Sequence, residues 1–471
     1  MIRKLILPSF LFVCFLLNGQ VNTFSLKQCI EYAWMNNLEV RQFVLNSESS
    51  SIDLKQSKSN ILPSLSAGAG QNYQFGRSID RFTNQFSNQT IRSNNFSLNA
   101  NLLLFGGFQT QNNIKLANAT QKAAQENIYN IKNQIALNVA NAFLQAIQSE
   151  ENIKNLNFQV ETTKQRVIKA QKMVDAGTAD LSSLLSLKAQ LANEQYNVVT
   201  AINAKNASML NLKTLLQMGN DKDLNLSMPV VSMDIISNAF SVNELYQIAL
   251  ENMPQIKSAI LQNEAAKYQT RITQGSMFPT IALFGSLSTV YSQSAQIYSN
   301  PTIIGTQVIG YTQTNNELVV QPTYSYQKST KAFNQQLTDN LGQGAGISLS
   351  WNIFNAFQVQ NQIQKARINE ALSDLNLLKV KNNLLNEINS AMNSYNAAKA
   401  KHDAAMNNVE AQKMSFDYIQ KRFDAGVTNS YDFIQSKNNL LQSQSNEIQA
   451  RYELVFRGLI LEFYKGNPIN L

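Results

Sequence analysis

Residues 96–108 read FSLNANLLLFGGF, and residues 347–357 read ISLSWNIFNAF. In the first stretch Phe96, Leu98, Ala100, Leu102 and Leu104 alternate with Ser97, Asn99, Asn101 and Leu103. In the second, Ile347, Leu349, Trp351 and Ile353 alternate with Ser348, Ser350 and Asn352. A period of two puts an oily row on one face and a wet row on the other, the pattern of a transmembrane strand of ~9–11 residues. Leu98, Phe105 and Phe108 fall on Ile347, Phe354 and Phe357 with a constant shift of 249 residues. The same strand and corner are written twice.

The duplication extends in both directions. Downstream, the shift of 249 carries Asp175-Ala176-Gly177 onto Asp424-Ala425-Gly426. Upstream the shift is 216: Ser25-Leu26 falls on Ser241-Val242, Ala33 on Ala249, Asn36 on Asn252, and Leu62-Pro63 on Phe278-Pro279. The second copy therefore carries a 33-residue insertion between Pro279 and Ile347. Solenoid units run ~20–50 residues, so this is tandem duplication of one large unit.

Each copy changes its hydrophobic period in the same order. Ser25 is an N-cap candidate, and a second helical stretch must end before Pro63, because the residue preceding proline is biased away from helix. Weaker strands follow at Leu65, Ala67, Ala69, Gln71 and Tyr73, and at Ile281, Leu283, Gly285, Leu287 and Thr289. They predict hairpins over about 64–105 and 280–354, with polar loops at roughly 77–93 and 292–343. The second loop, holding Tyr298, Tyr311, Tyr324 and Tyr326, is expected to face the cell exterior.

A long helix is predicted over 108–176, which contains no proline and no glycine; at ~1.5 Å per residue it is a rod of roughly 100 Å. Its counterpart is 357–425. Ile153, Leu156, Val160, Thr163, Val167, Ala170 and Val174 form a seam at alternating spacings of three and four, repeated as His402, Ala405, Val409, Gln412, Phe416, Ile419 and Phe423. Such spacing means coiled-coil packing. Gly177 and Gly426 stop the rods at left-handed C-caps. Thr178 or Asp180, and Thr428 or Asn429, are candidate caps for return helices over 180–217 and 429–464. These are half the length of the rods, and helices near 38–61 and 254–277 supply the other half by stacking end to end.

The rest of the chain bounds the function. Arg3 and Lys4, an apolar run over residues 5–17, then Asn18, Gly19 and Gln20 make a secretory signal peptide, too short to span a membrane. Val13 before Cys14 argues against lipid attachment, and Cys29 is then the sole cysteine, so no intrachain disulfide is expected. The expected map is signal peptide 1–22, first repeat 23–217, linker 218–240 and second repeat 241–471. The +8 net charge is scattered rather than gathered into a stripe, which argues against nucleic acid. The lone His402 lacks partners for a zinc site, no carboxylate pair suggests acid-base work, and no cofactor or enzyme activity is expected. Gly342, Gly344 and Gly346 precede a strand rather than a helix, so they are no phosphate loop. Trp351 is expected at lipid or the interface belt.

Four strands cannot close a membrane barrel, whose smallest members have about eight, and an open edge in lipid leaves backbone groups unpaired. An oligomer is implied.

The order helix, hairpin, long helix, glycine turn and half-length helix, written twice, resembles the TolC-like outer-membrane efflux protein family over essentially the whole mature chain. The most specific marks are Lys172-Met173-Val174-Asp175-Ala176-Gly177 with Leu184 and Leu185 beyond, and Lys421-Arg422-Phe423-Asp424-Ala425-Gly426 followed by Asp432-Phe433-Ile434. The corners Leu104-Phe105-Gly106-Gly107-Phe108 and Ile353-Phe354-Asn355-Ala356-Phe357 also match.

The resemblance implies a mainly α chain with a transmembrane β-barrel part: a homotrimer with a 12-stranded barrel, four strands per chain, on a long antiparallel coiled-coil tunnel. It would sit among the lipids of the outer membrane of a Gram-negative bacterium with a large periplasmic portion, as the passive exit channel of a tripartite efflux system. A periplasmic adaptor (membrane fusion) protein and an inner-membrane pump would open its tip. A type I protein-secretion channel is the alternative, and a soluble periplasmic coiled-coil structural protein is the reading from another class. Gly177, Thr178, Gly426 and Val427 would be the tip turns and adaptor-docking edge; Phe423 and Asp432 would line the constriction. Thr428 stands at the family's basic position, and Gln435 and Ser183 at acidic ones. One modest anionic ring from Asp432, with closure by packing around Phe423, is what remains.

Overall fold

The computed structural model describes residues 23–79, 84, 86–88, 90–219, 223–228 and 241–469. The expected signal peptide and most of the expected linker lie outside the described residues.

The first repeat runs β1 (Thr23–Phe24), α1 (Leu26–Asn36), α2 (Leu38–Ser59), β2 (Ser64–Gln74), β3 (Ser78–Ile79), β4 (Phe86–Ser87), β5 (Ile91–Gly106), α3 (Gln109–Asp175) and α4 (Leu181–Leu215). After β6 (Asn225–Leu226), which pairs in parallel with β1, the second repeat runs α5 (Val242–Asn252), α6 (Pro254–Gly275) and β7 (Thr280–Ser292). It continues with β8 (Gln296–Tyr311), β9 (Leu318–Thr330), α7 (Phe333–Asp339), β10 (Gly342–Ser350), α8 (Gln358–Asp424) and α9 (Ser430–Tyr464).

Each copy starts on the same device. The Ser25 hydroxyl accepts from the Gln28 N–H while the Gln28 side chain accepts from the Ser25 N–H, and Ser241 and Glu244 repeat this capping box. The buried faces behind the caps repeat too. Cys29, Ala33 and Val40 pack in one cluster with Ile135, Val139 and Ala142; Leu245, Ala249 and Ile256 pack in another with Leu384, Ile388 and Ala391. Cys29, 0% exposed, thus stands where the second copy has Leu245 and behaves as a small core hydrophobe. Full burial of the Val, Leu and Ile side chains in these clusters is worth about 1.5–3 kcal/mol each.

The described residues form two compact units. One comprises residues up to 51, 119–263 and 372 onward; the other comprises 52–118 and 264–371.

In the second unit, β10, β7, β5 and β2 form one antiparallel sheet in that order. The β5–β7 pairing, from Ser93↔Ser292 to Gly106↔Thr280, joins the two hairpins β2–β5 and β7–β10. Register places Leu98 between Ala67 and Leu287, and Leu283 between Leu102 and Ile347, so the oily rows share a face. β2 and β10 each keep one edge unpaired by any described strand. No helix among the described residues is long and apolar enough to cross a membrane.

Three expectations need correction. The last strand stops at Ser350, before Trp351 and Ile353, because β7 starts only at Thr280 and offers no partner beyond it; the Trp351 indole N–H donates instead to the Met277 carbonyl at 3.1 Å. Gly342, Gly344 and Gly346 lie within β10, not before it, and Gly346 gives the Phe284 ring room where a Cβ would stand 2.7 Å from it. The span expected as a polar loop at 292–343 carries β8, β9 and α7.

The strand-to-helix corners repeat a costly backbone. Gly107 and Phe108 have φ of 62°, and Ala356 and Phe357 have φ of 51° and 63°. Phe105 packs edge-on to Phe108 at 5.3 Å, and Phe354 to Phe357 at 5.7 Å. Beyond them α3 and α8 each run 67 residues. Every residue of both predicted seams is buried or half-buried.

Candidate functional site at the helical tips

Each long helix ends in the same turn. The Gly177 N–H donates to Val174 O and the Thr178 N–H to Met173 O, both at 2.9 Å. The Gly426 N–H donates to Phe423 O at 3.0 Å and the Val427 N–H to Arg422 O at 2.9 Å. This is the Schellman closure, and both glycines sit at φ 71°. Gly177, Thr178, Gly426 and Val427 are all exposed. So are Leu181, Leu185 and Tyr431, while Leu184 is buried beneath.

Asn429 is the cap of α9: its side chain accepts from the Asp432 N–H at 2.9 Å. Asp180 occupies the cap position of α4 without a side-chain bond, and Thr178 Oγ1 donates back to Met173 O. Asp432 is exposed, and Thr428 Oγ1 donates to its Oδ2 at 2.9 Å. A hydroxyl thus stands where a cation would pair with it.

Phe423 does not stand free. It stacks on Phe433 with centroids 4.8 Å apart and planes 23° from parallel. Phe416 packs at 5.6 Å from the same ring, and the Arg166 guanidinium lies 4.4 Å from its centroid. Arg166 also reaches Asp424 at 3.8 Å. Phe433 is 1% exposed, so this cluster joins the first repeat's rod to the second repeat's turn.

Further along lies a buried polar knot that the seam pattern does not reveal. Lys437 Nζ donates to Glu194 Oε1 at 2.7 Å, to the Gln159 carbonyl at 3.1 Å and to the Thr163 hydroxyl. Thr163 Oγ1 donates to Glu194 Oε2 at 2.7 Å, and Gln190 Nε2 lies 2.8 Å from both Glu194 Oε1 and Asn438 Oδ1. All three ammonium protons and both carboxylate oxygens are engaged. Burial pushes the Lys437 ammonium below its ordinary value, opposed by Glu194. Farther from the tip, Glu151 of α3 accepts from Tyr452 Oη at 2.6 Å and from Arg451.

The structure therefore brings Gly426, Val427, Phe423 and Asp432 into one turn, with Gly177 and Thr178 in its twin. Sequence reading missed Arg166, Glu194 and Lys437 as partners. Lys437 had a signal: it follows Phe433 by four residues, on the apolar stripe that continues to Leu440. His402 is buried on the seam as expected, and no metal-binding cluster occurs among the described residues.

The sequence profile of outer membrane efflux proteins matches residues 29–217 and 245–457, which takes in most of both repeats. The chain belongs to the outer membrane efflux protein family. The outer membrane efflux protein BepC of Brucella suis is 24% identical over 367 residues, covering 75% of this chain and 68% of BepC. Crystal structures of CusC, a protein studied for transmembrane channel formation, align with a TM-score of 0.76 at 15% identity, over 97% of this chain and 96% of CusC. The outer membrane protein VceC of Vibrio cholerae aligns at 0.71 with 13% identity, over 94% and 96%. At these identities the structures share the fold.

Proposed function

We propose that this efflux-family chain is one of three identical protomers of an outer-membrane exit channel, a passive conduit from periplasm to exterior in a tripartite efflux system. The observation that carries the reading is the four-stranded sheet with one oily face and two unpaired edges. Leu65, Ile347 and Leu349 expose about 70% of their surface on that face, which water penalises and lipid does not. The edges need partners in a bilayer, and three copies supply a closed ring of twelve strands.

The coiled-coil rods descend into the periplasm in this reading. The twin glycine turns, with exposed Leu181, Leu185, Val427 and Tyr431, form the edge that a periplasmic adaptor grips beside an inner-membrane pump. Phe423 and Asp432 sit at the narrow end. Substrate selection rests with the pump and the adaptor in this reading.

The test is direct. Purified in detergent, the protein should have the mass of three chains by light scattering and should conduct ions in planar bilayers. A monomer in the aqueous fraction, with no conductance, would end the reading.

A further inference from the structure

The insertion that distinguishes the second repeat is a two-stranded ribbon with a pronounced division of faces. In β9, Leu318, Val320, Pro322, Tyr324 and Tyr326 alternate with Val319, Gln321, Thr323, Ser325 and Gln327. Register places Tyr298 opposite Lys328, Ile303 opposite Tyr324, and Val308 opposite Val320. Residues directly opposite share a face, so Tyr298, Ile303, Val308, Val320, Tyr324 and Tyr326 form one mainly oily side, with the Lys328 ammonium on the same side 5.7 Å from the Tyr298 ring. The ring contacts agree: Tyr326 lies 6.2 Å from Tyr298 and 6.4 Å from Tyr324. On the reverse side Thr302 meets Ser325 and Gln307 meets Gln321.

An imbalance of this kind, interrupted but not erased by Val319 on the wet row and by three register shifts in the pairing, belongs to a sheet with one covered face. Here nothing among the described residues covers it: Ile303 is 65% exposed and Tyr298 56%. A lone two-stranded ribbon is marginal in water. Its root is nevertheless rigid. Gln336, 0% exposed, donates to the Ser292 and Lys331 carbonyls at 3.0 and 2.8 Å and accepts from the Ser292 N–H at 2.9 Å. The ribbon is held on β7 as an arm with an unfilled face.

Charge and connectivity say what fills it. Glu317 and Lys328 are the only charged residues in 296–330, one of each sign, so the ribbon carries no net charge to draw a phosphate-bearing headgroup or an acidic partner. Pro301 and Pro322 interrupt the edges of β8 and β9, so contact must go through the face rather than by strand addition. The ribbon also springs from β7 and returns through α7 to β10, the strand with the unpaired outer edge. That edge is where the next protomer joins in the trimer, and symmetry delivers two more identical ribbons to the same end.

We propose that the oily faces of three ribbons pack against one another around the threefold axis, as a clasp holding the protomers together beyond the barrel. This rests on the trimeric reading above. Each ribbon meets the others at the high effective concentration of tethered groups, and side chains converging on the axis come within about one sheet spacing, ~10 Å, of their counterparts.

The test uses full chains carrying Tyr324→Cys or, on the reverse face, Ser325→Cys, purified in detergent and treated with a bismaleimide of about 10 Å reach. The clasp requires chain-to-chain linkage at Tyr324→Cys and little at Ser325→Cys. A second variant, Val320→Thr/Tyr324→Thr/Tyr326→Thr, should dissociate to monomers at least ten degrees below wild type on heating in detergent, with Gln321→Ser/Ser325→Ala as the matched control. Linkage in neither or equally in both, with heat resistance unchanged, overturns the proposal and leaves lipid or a foreign protein as the occupant. Wild-type protein that is not trimeric before treatment instead overturns the underlying reading, and the untreated sample reveals it.

Discussion

The Lys437 ammonium lies 2.7 Å from the Glu194 carboxylate, with both side chains 2% exposed, and this contact ties the second repeat's return helix to the first's. An ion pair so dry gains attraction but loses hydration on both sides. Its value therefore shows when one member is removed. Lys437→Met should destabilise the helical unit by about 3–5 kcal/mol, because Glu194 is left buried without its cation. Lys437→Met/Glu194→Leu should recover most of that loss. Guanidinium unfolding followed by circular dichroism measures both, and equal loss in the single and double variants would refute the account.

Phe433 should be the costliest aromatic at the tip. Truncation to Ala removes the stack with Phe423, the contact with Phe416 and the seat of Arg166, and buried Phe→Ala changes cost about 3–5 kcal/mol. In bilayers Phe433→Ala should also raise the resting conductance, since the turn carrying Phe423 loses its backing. Unchanged conductance would separate this cluster from closure.

Asp432 is exposed, and the cap of α9 is Asn429 rather than Asp432 itself. Asp432→Asn should leave the fold intact while lowering cation over anion selectivity of the channel. Reversal potentials in a salt gradient read this out. Selectivity equal to wild type removes Asp432 from the pore.

The glycines divide by surroundings. A Cβ at Gly177 or Gly426 would meet nothing within 4 Å, so Gly→Ala there costs only the left-handed backbone, about 1–2 kcal/mol. At Gly107 a Cβ would stand 2.1 Å from the Gly275 carbonyl oxygen, and Gly107→Ala should block trimer assembly on a gel. Ala356→Gly, at the equivalent corner with φ 51°, should stabilise by up to about 1 kcal/mol.

Burial pushes the Cys29 thiol from 9.0 up to about 12. A thiol whose value rises on folding contributes stability in full below pH 9, and that contribution is lost as pH rises from 9 toward 12. Folded protein should resist alkylation by iodoacetamide at pH 9, whereas unfolded protein reacts. Cys29→Val should flatten the alkaline decline in stability.

Much of this architecture is legible in one sequence because it is spelled twice. Phe96 to Leu102 and Ile347 to Leu349 show the strands, the seams show the coil, and Gly177 and Gly426 show the turns. Equivalence also hides things. Lys188 and Lys437 occupy matching positions under the shift of 249, yet Lys188 is exposed and donates to Gln171 at 3.0 Å while Lys437 is buried. Nothing local distinguishes them; the difference lies in Glu194, whose counterpart is Ser443. The ribbon reads as loop because its insertion has no second copy for comparison, although Leu318, Val320, Tyr324 and Tyr326 carry the period.

The β5–β7 pairing has an evolutionary meaning. It is the same kind of junction, one hairpin beside the next, that three chains would form with one another at β2 and β10. The wall is then six kindred panels with every second joint welded by a peptide link. Fusion of two ancestral panels in one gene lets alternate panels specialise, one acquiring the ribbon, while the circle still closes.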